Sequence, residues 1–223
     1  MVEEKLYTDY LQIVRSFRKY LEKKQGIVKK EDNLEKKSPK KLLEALYHSM
    51  RNCQKCSLFK KRTHLVFGEG NPEAKLMLVG EAPGRNEDLQ GKPFVGSAGN
   101  VLTEALEKFN IPASQLYIAN ILKCRPPGNR DPYPEEIEAC FPYLKKQIEI
   151  INPHLICTLG KFAVRVLLNT NQGITFLRGK RQYYKNIILV PTFHPAACIY
   201  RPNWKRLFFE DIEMVKKILE SEF

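Results

Sequence analysis

Four of the six cysteines in this chain are spaced so that their thiolates could bind metal. Cys53 and Cys56 form a Cys-x2-Cys pair, which can hold one metal centre. Cys124 and Cys140 lie far apart, so the second tight pair of a zinc ribbon is missing. Loose spacing of this kind suits a [4Fe-4S] cluster bound by four thiolates. From spacing alone, iron–sulfur, zinc and unliganded core cysteines all remain open.

A carboxylate, an amide and an imidazole follow apolar segments farther along the chain. Glu81 comes after an apolar run that ends at Val79, Asn120 lies late in the next run, and His194 follows a third. Side chains of these types can transfer protons and form directional hydrogen bonds to a ligand. They can act together only if the fold brings them to one place.

The remaining pattern predicts an α/β fold with a parallel sheet, because short apolar runs alternate with helical periods. The predicted strands are Lys75–Val79, Leu116–Leu122, Leu155–Leu159 and Ile187–Pro191. The predicted helices lie near Ala98–Phe109, Pro134–Ile150, Lys161–Leu168 and Trp204–Leu219. Right-handed crossovers place these helices on both faces of a central four-stranded parallel sheet, which gives a three-layer α/β/α fold. Ligands bind at the carboxyl edge of such sheets, so Glu81, Asn120 and His194 should meet in one crevice.

The N-terminal part of the chain, residues 1–40, is predicted to be a basic helical extension and linker ahead of one domain at 41–223. Apolar residues recur there at helical spacing: Leu6, Leu11, Val14, Phe17 and Leu21. The stretch Ile27–Lys40 is dense in charged residues, as linkers often are. A second helix, about Lys41–Asn52, should lead directly to Cys53.

The net charge of +12 suits a partner made of phosphates, either DNA or RNA. Residues 1–62 hold 17 Lys and Arg against 8 Asp and Glu, so much of the basic charge lies near the N-terminus. A solvated surface rich in Lys and Glu, of the kind that thermophilic proteins carry, explains the charge equally well.

The chain contains no apolar run near the roughly 20 residues that cross a bilayer, and its first residues are too polar for a signal peptide. An intracellular, cytoplasmic protein without a membrane partner is therefore expected. In a reducing compartment, metal binding explains the paired cysteines better than disulfides do.

Several short motifs also follow one another in a fixed order. They are GEAPGRNED at 80–88, GKPFVG at 91–96, Asn120, KCRPP at 123–127 and the pair His194-Pro195. In this order, and together with the four cysteines, they closely resemble family four uracil-DNA glycosylases, the iron–sulfur enzymes common in thermophiles. The resemblance runs from about Ser49 to Leu219 and leaves residues 1–40 as an extension.

The resemblance implies a DNA-repair enzyme that flips uracil out of single- or double-stranded DNA, hydrolyses the N-glycosidic bond and leaves an abasic site. It also implies that Cys53, Cys56, Cys124 and Cys140 hold a structural [4Fe-4S] cluster. Uracil-containing DNA is the expected partner, a sliding clamp is a further candidate without a clear motif, and a monomer is expected. Related uracil-trapping proteins carry a nucleophilic His after the Asn motif, and residues 121–130 contain none, so turnover is expected.

The motif residues suit cleavage of an N-glycosidic bond, which leaves positive charge on the sugar and negative charge on the base. His194 is expected to donate a hydrogen bond to uracil O2, and Asn120 to pair with the N3–H and O4 edge. Phe94 is expected to stack on the flipped base, with Ala82 beside it. The alternatives are that Phe94 is an ordinary core residue and that Asn120 caps a strand end.

The carboxylate that activates water is less clearly marked by the sequence. Many related glycosylases carry an Asp where this chain has Ala82. Glu81 is therefore the first candidate, Glu87 the second and Asp88 the third.

Contacts to DNA are expected from the Gly/Pro turn and from the loop after His194. Gly84 would let the backbone approach the nucleotide closely. Ile199 is the large apolar residue suited to wedge into the duplex, with Cys198 a smaller second choice, and Arg201 is placed for a phosphate.

Two other functions compete with uracil excision. One is a DNA-binding module without catalysis that kept the fold and the cluster, although intact Glu81, Asn120 and His194 argue against it. The other is an enzyme of the same superfamily that excises a different base, such as hypoxanthine or xanthine.

Overall fold

The computed structural model describes the structure of Tyr20 and of residues 38–222. The chain divides between Ser38 and Pro39, and the unit that follows is Pro39–Phe223. The helix and linker predicted within residues 1–40 lie almost entirely outside the described residues. That domain assignment therefore stays a prediction.

A mixed sheet runs through the described part of the chain. Its strands are β1 Glu69–Gly70, β2 Leu76–Gly80, β3 Leu116–Asn120, β4 Leu155–Leu159, β5 Gln182–Tyr184 and β6 Ile187–Thr192. The spatial order is β1-β3-β2-β4-β6-β5. The four central strands are parallel, and the short outer strands β1 and β5 pair antiparallel to β3 and β6.

The helices lie between these strands and after them. They are α1 Pro39–Met50, α2 Arg85–Gln90, α3 Ser97–Lys108, α4 Pro134–Ile151, α5 Lys161–Leu168, α6 Ile174–Leu177, α7 Pro195–Cys198 and α8 Pro202–Glu222. Single 3-10 turns occur at Ser57–Lys60, Ala113–Gln115 and Pro127–Asn129. No helix in the described residues is both long enough and apolar enough to cross a membrane.

Buried side chains form one core on each face of the sheet, because successive residues of a strand point to opposite faces. On β2, Met77 and Val79 pack with residues of α1, α4 and α5. Leu76 and Leu78 pack on the other face with residues of α3 and α8. The result is three layers, α/β/α.

The predicted three-layer fold with a central four-stranded parallel sheet is therefore confirmed. The prediction did not include β1 and β5, which are only two and three residues long and add an antiparallel strand at each edge. It also did not include the short helices α2, α6 and α7. Segments this short carry too few residues for a hydrophobic period to be visible.

Candidate active site and metal centre

The carboxyl ends of the parallel strands bring the predicted polar residues together. Asn120 is the last residue of β3, Glu81 directly follows β2, and His194 lies two residues after β6. The register pairs Gly80 with Asn120. All three side chains line one cavity of about 350 Å³, together with Ala82, Pro83, Gly84, Glu87, Phe94, Ala98, Pro126, Asn129, Arg130, Ala196 and Ala197.

Asn120 presents an unused hydrogen-bond acceptor to this cavity. Its side chain is buried, and its Oδ1 has no hydrogen-bond partner among the described residues. The neighbouring Gly80 makes this position possible, since a Cβ there would lie 2.3 Å from Asn120 Oδ1 and 2.8 Å from the Phe94 ring. Leaving a buried amide oxygen unpaired costs about 1–3 kcal/mol, so a ligand N–H at this point would recover stability.

His194 is held as a neutral imidazole. The backbone N–H of Ala196 donates to His194 Nδ1 at 3.2 Å, which leaves the ring proton on Nε2. Burial lowers the pKa of His194 to about 4, and the nearby Glu87 carboxylate offsets only part of that shift. Gly160 packs against the ring at a positive φ of 94°, where a Cβ would meet His194 Cβ at 2.9 Å. His194 can therefore donate a hydrogen bond from Nε2 at neutral pH.

Phe94 forms an apolar wall of the same cavity. Its ring lies 5.8 Å from the His194 ring, at an interplanar angle of 29°. Its backbone has a φ of 53°, which is rare for a bulky residue. The start of α3 fits tightly against it, because a Cβ on Gly99 would lie 1.8 Å from the Phe94 carbonyl oxygen. The strained backbone is thus fixed by its surroundings, as is common where a side chain is presented to a ligand.

Glu81 is the carboxyl group in the cavity whose proton affinity is most altered. Burial, and after it the carboxylate of Asp131, raises its pKa to about 7, although the ammonium of Lys161 acts in the opposite direction. Asp131 and Lys161 form an ion pair of 2.8 Å near the site. A carboxyl group that titrates near neutral pH is suited to act as a general base.

The other two acidic candidates hold the loops around the cavity. Glu87 is buried, and its Oε1 accepts the backbone N–H of Gly96 at 2.9 Å. Asp88 is also buried, accepts the backbone N–H of Thr63 at 2.9 Å and does not line the cavity. The geometry therefore favours Glu81 over Glu87, and Glu87 over Asp88, for contact with a reacting water.

The loop between β3 and α4 supplies cavity residues that the sequence patterns did not mark. Asn129 and Arg130 both line the cavity. Arg130 forms a two-pronged ion pair with the buried Glu136, at 2.6 and 2.9 Å, and its guanidinium lies 3.6 Å from the centre of the Tyr133 ring. Arg130 and Glu136 lie six residues apart, on either side of the N-terminus of α4, and this spacing alone does not predict an ion pair.

The segment after His194 forms the rim of the cavity. Cys198 is buried, whereas the Ile199 side chain is 39% exposed and Tyr200 is 87% exposed. Arg201 is exposed and stacks at 4.2 Å over Trp204, which stacks in turn at 4.3 Å on Phe193. Ile199 and Tyr200 are therefore exposed next to the stacked side chains of Arg201, Trp204 and Phe193. Cys198 cannot reach DNA without local unfolding.

The four candidate metal-binding cysteines line a second cavity on the side of the sheet that carries α4. Cys53, Cys56, Cys124 and Cys140 all line it, with apolar neighbours that include Met50, Phe59 and Leu65. Burial raises the pKa of the Cys140 thiol to about 12 and also raises the pKa values of Cys56 and Cys124. A metal centre bound by these thiols would hold them as thiolates.

Hydrogen-bond donors point at the sulfur atoms of this site, including the backbone N–H of Leu58 at Cys56. Arg62 Nη1 donates to Cys124 Sγ at 3.4 Å, the backbone N–H of Lys123 donates to Cys140 Sγ at 3.3 Å, and Tyr143 Oη donates to Cys53 Sγ at 3.6 Å. Arg62 also donates to the carbonyl oxygen of Cys53 at 3.0 Å. Donors of this kind stabilise the negative charge on metal-bound thiolates.

The spacing of these side chains bears on the kind of metal. Among the described residues, no group of three or more Cys, His, Asp or Glu side chains lies close enough to hold a single metal ion. In a [4Fe-4S] cluster each thiolate binds a different iron, so the four sulfurs lie farther apart than around one zinc ion. The four thiols line one cavity, as a metal centre bound by four thiolates requires.

Comparisons with known proteins agree with this geometry. Residues 67–215 match the family model described as the uracil DNA glycosylase superfamily. A type-4 uracil-DNA glycosylase of Saccharolobus solfataricus is 44% identical over 81% of this chain and 88% of its own length. The type-4 enzyme of Sulfurisphaera tokodaii is 43% identical over 79% of this chain and 84% of its own length. That of Thermotoga maritima is 42% identical over 81% of this chain and 96% of its own length.

Proposed function

The chain belongs to the uracil DNA glycosylase superfamily, and we propose that it excises uracil from single- and double-stranded DNA by hydrolysing the N-glycosidic bond. One observation supports this most directly. The same cavity contains the buried Oδ1 of Asn120, which has no partner among the described residues, and a neutral His194. Uracil carries an N3–H donor between two carbonyl acceptors, which is the complement of these groups.

The cavity residues supply binding and charge stabilisation in this proposal. Asn120 Oδ1 accepts the N3–H of uracil, and its amide N–H groups face O4. His194 donates from Nε2 to O2, where negative charge collects as the bond to the sugar breaks. Phe94 stacks on the flipped base beside Ala82. Cytosine presents an unprotonated N3 and a 4-amino group at this edge, so Asn120 disfavours it.

In this mechanism, Glu81 activates the attacking water. Its carboxylate takes a proton from the attacking water and stabilises the cationic sugar. Glu87 serves the same site by holding the backbone of Gly96, and its own role in the chemistry is secondary.

The pH dependence of excision should report on Glu81. Because the base form is needed and burial raises its pKa to about 7, the single-turnover rate should rise with pH through that value and level off above it. Glu81→Gln should lower the rate by about 100-fold, the lower range for loss of a general base, and should abolish the rise. The measurement is the rate of uracil excision under single-turnover conditions across this pH range.

Glu87→Gln is the matched control for this experiment, because it changes a neighbouring carboxyl in the same cavity. It should be less harmful than Glu81→Gln and should keep the pH dependence of the wild type. The reverse ranking would transfer the water-activating role to Glu87.

Contacts with DNA are proposed for Gly84, Ile199 and Arg201. Gly84 lies in the wall of the cavity, and Arg201 is exposed near its rim. Ile199 fills the space that the flipped nucleotide leaves, which offsets part of the cost of unstacking.

Ile199→Ala should therefore slow excision from duplex DNA more than excision from single strands, which have no stack to fill. The expected difference is about tenfold if about 1.4 kcal/mol of wedge energy is lost. Excision rates on matched duplex and single-stranded oligonucleotides measure it. Tyr200→Ala is the companion variant, since Tyr200 is the more exposed neighbour. A duplex-selective loss in that variant alone would assign the wedge to Tyr200.

The cysteine site is proposed to hold a [4Fe-4S] cluster through Cys53, Cys56, Cys124 and Cys140. When bound, the cluster supplies a cross-link between the segment after α1, the segment after β3 and helix α4. The surrounding residues bury Cys124 and Cys140, leave Cys53 and Cys56 half-buried, and donate hydrogen bonds to the sulfur atoms. Its part in the function is to hold the loop after Asn120 in place.

Residues 1–40 are proposed to add salt-dependent affinity for DNA through their basic side chains. A sliding clamp remains a candidate partner, and a monomer the expected state. The cytoplasm is the expected location.

A gel assay tests the proposed function. Oligonucleotides that carry one uracil, hypoxanthine, xanthine or mismatched thymine are incubated with the protein and then treated with alkali, which cleaves abasic sites. Cleavage at uracil is expected. Cleavage only at another base would make the protein a glycosylase for that base, and DNA binding without cleavage would make it a binding module.

A further inference from the structure

Lys123 is an unusual residue in this fold because its side chain is completely buried. Its ammonium group donates to the backbone carbonyl of Asn120 at 2.8 Å and to Gln147 Oε1 at 2.6 Å. In the described part of the chain, no carboxylate forms an ion pair with it. Burying a lysine amino group is costly even when it is hydrogen-bonded, and Met or Leu would fill the same space without that cost. The two hydrogen bonds are what Lys123 adds.

One end of this contact network is the cysteine site. The backbone N–H of Lys123 donates to Cys140 Sγ, and Cys124 is the next residue in the chain. Gln147 lies on α4, seven residues after Cys140 and so on the same face of that helix. Gln147 Nε2 donates to the carbonyl of Phe67 at 2.9 Å. Gln147, which accepts a hydrogen bond from Lys123 Nζ, is therefore fixed on the same helix as Cys140.

The other end of the network is the cavity. The backbone that follows Asn120 continues alongside the Gly80–Glu81 segment, where Ile121 N–H donates to the Gly80 carbonyl and Leu122 N–H to the Glu81 carbonyl. Lys123 then reaches back to the Asn120 carbonyl. The peptide that carries the Asn120 side chain is therefore held on one side by the sheet and on the other by the Lys123 ammonium.

We propose that Lys123 is a positioning residue that fixes Asn120 relative to the cysteine site, so that the placement of Asn120 against uracil depends on the cysteine site. This inference rests on the proposed function. It assigns Lys123 no contact with the base, because Lys123 lines the cysteine cavity and does not line the cavity that contains Asn120.

Lys123→Met tests the proposal, because it keeps the apolar stem and removes both hydrogen bonds. The single-turnover rate of uracil excision should fall by about 100-fold, the scale expected for a displacement of about 1 Å of a binding group. Affinity for uracil-containing DNA and the iron content should stay as in the wild type. In an Asn120→Ala background, Lys123→Met should cause no further loss, since the two residues act through one contact.

Two matched variants separate positioning from general damage. Gln147→Leu breaks the tie to α4 but keeps the bond from Lys123 to Asn120, so it should slow excision less than Lys123→Met does. Val215 lies on α8, in the core on the face of the sheet opposite the cysteine site, and lines neither cavity, so Val215→Ala should lower the melting temperature while leaving excision unchanged.

Several outcomes would overturn the inference. They are wild-type rates in Lys123→Met, an additive loss in the Asn120→Ala background, a wild-type rate in Gln147→Leu, slowing by Val215→Ala, and loss of iron from Lys123→Met. Failure of the wild-type protein to excise uracil would overturn the proposed function first, and this inference with it.

Discussion

Replacing His194 or Asn120 by alanine is expected to lower the single-turnover rate of uracil excision by about 10²–10³-fold each, as removal of one donor from an oxyanion site does. His194 carries its proton on Nε2, and Asn120 holds a buried acceptor that no described residue uses. Both groups meet the base where its charge and hydrogen-bonding pattern change along the reaction. Their effect should therefore fall on the transition state.

The measurement compares the single-turnover rate with the dissociation constant for uracil-containing DNA. We expect DNA affinity to be nearly intact in both variants, because both side chains line the cavity, where Asn120 is buried and His194 half-buried. His48→Ala is a matched control: His48 is an exposed His in the last turn of α1, and its loss should change neither quantity. A loss confined to DNA binding would contradict the assigned roles.

Loss of one cluster cysteine is expected to have the largest effect on stability. Protein purified without oxygen should contain stoichiometric iron and show broad visible absorption. Cys124→Ala should lower the iron content and remove a large part of the roughly 5–15 kcal/mol that holds a domain folded, because metal binding and folding are coupled. Iron analysis and denaturant unfolding measure the two effects.

Cys198→Ala is the control for this variant, since Cys198 is equally buried but lies in the core on the other face of the sheet. It should keep its iron and lose only about 1 kcal/mol, the ordinary cost of a small core change. Stoichiometric zinc without iron in the wild type would rule out the iron–sulfur assignment. An iron-replete Cys124→Ala protein would remove Cys124 from the ligand set.

The parallel core of the fold could be read from the sequence with little error. The predicted strand Leu155–Leu159 and helix Lys161–Leu168 have the same bounds in the structure, and β2 differs by one residue at each end. These segments are apolar or periodic enough for local pattern to decide their structure. The edge strands Glu69–Gly70 and Gln182–Tyr184 are not, because pairing with β3 and β6 alone makes them strands.

The candidate site could also be predicted only in part from the sequence. The convergence of Glu81, Asn120 and His194 followed from the rule that parallel strands end at one edge, and the structure places all three in one cavity. The family motifs supplied the expected chemistry and the four cysteines, and the assignment of the chain to the superfamily is confirmed. What the individual residues do stays a prediction.

By itself, the sequence determined the order of the four parallel strands and the longer helices, the residue types at the strand ends and the spacing of the cysteines, because each of these depends on residues close together in the chain. Only the tertiary structure decided how each group is held. It buried Lys123 between Asn120 and Gln147, turned Glu87 toward Gly96, and set Asp131 and Lys161 close enough to act on the pKa of Glu81. Burial and charge proximity arise between segments far apart in the chain, so no local pattern encodes them.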